Sequence, residues 1–176
     1  MDDETLVFDI EHRGIGILCV ETGNIDIYSR NELLTGAIRL LNAKHIISWN
    51  GTNKEKFDQK SLRTILKLKH EDPIPFKGTH DDMMSVCWNI KGEDLDGYRN
   101  SGYFSMSLME TYQIRFKDLF PLPPRGNSHL LNDVYATYRL WKCWKDGTLL
   151  IDFIEEKHSA IEQAKQHIQD RGILQE

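Results

Sequence analysis

Six residues near the start of the chain, Leu6-Val7-Phe8-Asp9-Ile10-Glu11, constrain it more than any other stretch. They read as a short strand. Successive strand side chains point to opposite faces, so Leu6, Phe8 and Ile10 share one face and Val7, Asp9 and Glu11 the other. Two carboxylates then stand side by side on an otherwise apolar strand. Like charges held that close are costly unless a cation lies between them. Hard divalent ions such as Mg²⁺ or Mn²⁺ prefer oxygen ligands and are the natural partners. An ordinary strand running out into solvent gives the same pattern, because an Asp-x-Glu triplet is common by chance.

The rest of the chain bounds what such a strand can serve. Its 176 residues suit a single domain, 1–176, with a sizeable core. Apolar content of 40% and charged content of 28% fit a soluble globular protein. A net charge of −5 argues against a strongly basic nucleic-acid coat protein, but leaves room for nucleic acid bound through metals and a local basic patch. Cys19, Cys87 and Cys143 are scattered and form no C-x-x-C pair, which fits reduced thiols in a cytoplasmic protein better than disulfides or zinc. The acidic N-terminus carries no signal peptide, and no apolar run approaches a membrane span.

In chain order, Gly14–Glu21 and Ile25–Tyr28 read as antiparallel strands around a Thr22-Gly23-Asn24 turn. Ser29 or Asn31 is placed to cap a helix from about 32 to 43, with Leu33, Leu34, Ala37, Ile38, Leu40 and Leu41 as its core face. A buried strand follows at 45–49, ending at Asn50-Gly51, and then a helix from about 56 to 68. The pattern next predicts a short strand near 77–80, helices near 82–89 and 105–112, a breaker segment at 120–126, and helices over 129–144 and 150–169. Three strands followed by alternating helices and strands argue for a mixed α/β sheet with helices packed on it.

Three further places can complete the acidic cluster: Asp58 near a helix start, Asp133 one turn after His129, and Asp81-Asp82, a pair that reads as a loop-to-helix cap more than as ligands. With these residues in order, the chain resembles the DEDD-type 3′–5′ exonucleases of the ribonuclease H-like superfamily. Asp9-Ile10-Glu11 resembles their first motif. Trp49-Asn50-Gly51 with Phe57-Asp58 and Leu62 resembles the second, and Asp133-Val134 with Thr137 and Leu140 the third. His80-Asp81-Asp82-Met83-Met84 is similar to the segment between the second and third motifs.

The resemblance spans nearly the whole chain and implies a ribonuclease H-like sheet, three antiparallel strands then parallel ones, with helices on both faces. It implies metal ligation by Asp9, Glu11, Asp58 and Asp133, two Mg²⁺ or Mn²⁺ ions, and His129 as the residue that orients or deprotonates a water. Two departures stand out. About three extra residues separate Asn50 from Phe57, so Asn50 or Asn53 fills the turn position. His129 lies four before Asp133, where the tyrosine branch has its Tyr; the histidine branch places His five before.

The implied activity is release of nucleoside monophosphates from single-stranded 3′ ends. The form of the third motif favours DNA, and RNA stays open. Asn50, Asn53, Lys54, Lys56 and Phe57 are the expected substrate contacts, within a basic run that includes Lys60, Arg63 and Lys67. The plain alternative for that run is a solvated helix face. Any polymerase or helicase partner would be a separate chain. The rival functions are a structure-specific endonuclease on the same fold and a catalytically silent binding module.

Overall fold

A computed structural model describes residues 3–11, 14–51, 57–90, 107–116 and 128–149. Among the described residues five strands form one mixed sheet: β1 (Thr5–Glu11), β2 (Gly14–Cys19), β3 (Ile25–Ser29), β4 (His45–Ser48) and β5 (Thr79–Asp82). Their order is β3-β2-β1-β4-β5. The pairs β1–β2 and β2–β3 are antiparallel, while β1–β4 and β4–β5 are parallel. The described helices are α1 (Leu33–Asn42), α2 (Phe57–Leu66), α3 (Met83–Ile90), α4 (Leu108–Phe116) and α5 (Ser128–Lys145), with one 3₁₀ turn at Arg30–Glu32. The expected strand at 77–80 and helix at 105–112 are present but shifted toward the C-terminus. The segments 91–106, 117–127 and 150–169, including the expected breaker and last helix, lie outside the described residues.

The period-two alternation of β1 divides the core. Leu6, Phe8 and Ile10 pack with Ile15, Ile17 and Cys19 of β2 against Ala37 and Leu40 of α1 and Leu62 of α2. On the other face, Val7, Leu18 and Ile47 pack with Met83, Cys87, Tyr112, Val134 and Leu140 from α3, α4 and α5. Helices therefore cover both faces. Trp49, Trp141 and Trp144 fill the margins of the second layer.

The first helix corrects the sequence reading. Leu34 and Ile38 are 52% and 46% exposed, and the buried residues are Gly36, Ala37 and Leu40. The six apolar positions spread over more of the helix circumference than one sheet can cover. Contact with Tyr28 through Gly36 turns the 34/38 flank outward; a Cβ at Gly36 would stand 2.8 Å from the Tyr28 ring. Arg39 fixes this arrangement by donating to both Glu4 carboxylate oxygens, to Asp26 and to the Tyr28 hydroxyl. Among the described residues, Ser29 makes no side-chain capping bond at the 3₁₀ turn.

Among the described residues all three cysteines are free, Cys19 and Cys87 buried and Cys143 half-buried. No helix among the described residues is long and apolar enough to cross a membrane.

Candidate metal centre

The acids of β1 lie at its C-terminal end, the end of a parallel sheet where ligand crevices form. Register explains how a helix reaches them. Asp9 pairs with Gly16 and Glu11 with Gly14 on β2, so the acids' cross-strand neighbours on that face have no side chains. Helix α5 fills the space. A Cβ on Gly16 would lie 3.1 Å from Val134 Cγ2 and 3.3 Å from Leu130 Cβ, and one on Gly14 would lie 2.9 Å from Leu130 Cδ1. Leu130 and Val134 are buried there. Asp133, between them in sequence, is thereby carried to the strand's edge.

Carboxylate oxygens of Asp9, Glu11 and Asp133 lie within 4.8 Å of one another. Asp9 Oδ2 is shut off from solvent and has no hydrogen-bond partner among the described residues. Burial pushes the Asp9 carboxyl well above the usual carboxylate range, and the charges of Asp58, Asp133 and Glu11 add to it. Burial likewise raises Asp133 to about 6, with Glu11 adding and His129 opposing. Asp58, in the first turn of α2, is raised to about 7 by burial; Asp82 and Asp133 add, and a hydrogen bond with the Ile10 backbone opposes. Asp58 lies outside the 4.8 Å trio but shares its field with Asp9 and Asp133.

Glu11 is exposed and Asp9 and Asp133 are half-buried, and this group of carboxylates would suit a hard cation. The donor set is all carboxylate, the charges oppose one another, and one buried oxygen has no partner among the described residues.

His129 stands exposed in the first turn of α5, near enough to Asp133 to act on its charge. Asn50 takes a left-handed backbone, φ 63°, which Asn tolerates better than most residues. Its N–H donates to Asp82 Oδ1 at 2.8 Å. Asn53, Lys54 and Lys56 lie outside the described residues, and of Phe57 only the helical backbone is described.

The basic run divides. Lys60 and Lys67 are exposed, but Arg63 is buried, donating to the Asp72 carbonyl at 3.1 Å and Gln59 Oε1 at 3.2 Å. A guanidinium held this way supports the loop after α2 and is not free to follow a phosphate backbone. A cleft of about 330 Å³ opens beside Glu11, lined also by Leu33, Lys60, Ser61, Thr64 and Ile65.

Two further groups shape the crevice. Ser48 Oγ lies 2.7 Å from His80 Nε2 and accepts the Gly51 N–H at 3.1 Å. Only glycine fits at 51, where a Cβ would fall 2.1 Å from Ser48 Oγ. Burial lowers the His80 pKa, against the opposing charges of Asp82 and Asp81. Asp81 is engaged elsewhere: His45 Nε2 at 2.9 Å, Trp141 Nε1 at 3.1 Å and Lys145 Nζ at 3.4 Å surround its Oδ2. It ties the C-terminal half of α5 to the sheet.

Gly14 and Gly16 belong to none of the motifs the sequence displays. Glycines inside a strand signal a close approach of other structure, and two alternating ones opposite the acids were the available sign. No family model, no curated protein and no solved structure matches the chain.

Proposed function

We propose that this protein is a metal-dependent 3′–5′ exonuclease with a ribonuclease H-like fold, acting on single-stranded nucleic acid. The observation that carries the reading is the meeting of Asp9, Glu11 and Asp133 around a buried carboxylate oxygen, Asp9 Oδ2, that has no hydrogen-bond partner among the described residues. The order of the sheet, three antiparallel strands followed by two parallel ones, is compatible with that fold.

Asp9, Glu11 and Asp133 would hold one divalent ion, and Asp9 with Asp58 the second. Two such ions, when bound, would supply an activated water and neutralise charge on the leaving 3′ oxygen. The protein's own groups do the rest. His129, on the exposed rim beside Asp133, takes the water's proton or orients it. The cleft beside Glu11 has apolar walls from Leu33 and Ile65 for a terminal nucleoside, and Lys60 as a cation for phosphate. The Gly16–Val134 contact sets how closely α5 approaches the sheet at β2, beside Asp9, and with it the grouping of the three acids.

The test uses single-stranded DNA and RNA oligonucleotides labelled at either end, incubated with the protein and Mn²⁺. The proposal predicts stepwise shortening from the 3′ end with release of mononucleotides, abolished when Asp9 and Glu11 are both changed to Ala. Internal fragments would assign an endonuclease. Equal hydrolysis by the double variant would remove the metal mechanism altogether.

A further inference from the structure

We infer that Asp82 is a positioning residue that fixes the turn after β4, residues 49–51, from which the chain runs on to Asp58. Asp82 ends β5 and is 6% exposed. Its Oδ1 accepts three backbone N–H groups: Met84 at 3.1 Å and Ser85 at 3.5 Å, in the first turn of α3, and Asn50 at 2.8 Å. The first two contacts are those of an ordinary helix cap. The third is not. It reaches across from β5 to the residue after β4 that adopts a left-handed backbone.

Asn50 lies in the turn that follows β4, eight residues before Asp58. Its neighbour Gly51 is pinned by Ser48 Oγ, which His80 holds from the other side. Both ends of the turn are thus tied to β5, by Asp82 at one and His80 at the other. Asp82 also lies close enough to Asp58 for their charges to interact. One carboxylate oxygen therefore joins the start of α3 to the turn after β4, and losing it leaves that turn held to the sheet at its Gly51 end alone.

The functional half of this inference rests on the proposed metal-dependent reading; the structural half does not. Asp82→Ser separates cap from anchor, because serine is a good helix cap but its shorter side chain cannot also reach Asn50. Asp82→Asn keeps the acceptor oxygen and serves as the conservative rescue.

The experiment is amide hydrogen exchange on the metal-free full-length protein, followed by Mn²⁺ titration of oligonucleotide hydrolysis. In Asp82→Ser, protection of the Asn50 amide falls at least tenfold while Ser85 keeps its protection. The Mn²⁺ concentration for half-maximal hydrolysis rises at least tenfold. Asp82→Asn stays within about threefold of wild type in both.

Unchanged Asn50 protection in Asp82→Ser overturns the inference, as does loss confined to α3, which would mark a simple cap. If the wild type hydrolyses nothing, the nuclease reading fails, and exchange at Asn50 still decides whether Asp82 anchors the turn.

Discussion

Gly16 lies directly across the β1–β2 ladder from Asp9, and the space its missing side chain leaves is occupied by Val134 of α5. The residue that lets the helix approach is thus the cross-strand neighbour of the acid the helix approaches. Gly16→Val suits a strand by propensity, so any loss reports packing. Forcing α5 off the sheet is expected to destabilise the fold by about 1–3 kcal/mol and to weaken Mn²⁺ binding at least tenfold. Denaturant titration and calorimetry check both. A stable variant with wild-type Mn²⁺ affinity would show that this approach does not set the site.

Asp58 gives a pH dependence with a definite sign. Its folded pKa, about 7, stands above the ordinary 3.8. The folded protein therefore holds this proton more tightly than the unfolded chain. The group's contribution is fully present below the ordinary value and is lost as pH rises through about 7. Metal-free Asp58→Asn should gain stability over wild type between pH 5 and pH 8, by on the order of 2 kcal/mol. His80, whose pKa is lowered, works in the opposite direction but is common to both proteins and cancels in the difference. Thermal unfolding in chelator at the two pH values measures it. Saturating Mn²⁺ should restore the wild type and not the variant. A pH-independent difference would mean that Asp58 is not under electrostatic pressure.

His129 is expected to affect turnover and not metal affinity, since the carboxylate trio forms without it. His129→Ala should lower kcat by roughly 10²–10⁴-fold and leave the Mn²⁺ dissociation constant within about threefold of wild type. Full activity in the variant would assign the proton transfer to another group.

Arg39 provides a control far from the chemistry. It joins α1 to β3 through Asp26 and Tyr28, and to the residue before β1 through Glu4. Lysine cannot reproduce the paired contacts to Glu4. Arg39→Lys should cost about 1–2 kcal/mol and leave hydrolysis per folded molecule unchanged. A selective loss of activity would tie this corner of the fold to the site.

Much of this arrangement was legible in the residues because its signals are local. The alternation in Leu6–Glu11 gives the two faces of β1, and the turn at Thr22-Gly23-Asn24 joins an antiparallel pair. Other features depend on what an element meets. Leu34 and Ile38 look like core residues in a helical pattern, yet the sheet covers only part of α1 and leaves them outside. Arg63 belongs by sequence to a basic run, but the Asp72 carbonyl draws it inward. Asp82 reads as a helix cap, and its hold on Asn50 emerges only when β4 and β5 are side by side.

The most direct measurement is the anomalous scattering of crystals soaked in Mn²⁺. The account predicts two peaks roughly 3.5–4 Å apart, one among Asp9, Glu11 and Asp133 and the other between Asp9 and Asp58. No peak at saturating Mn²⁺, with the acids protonated or splayed apart, would contradict it.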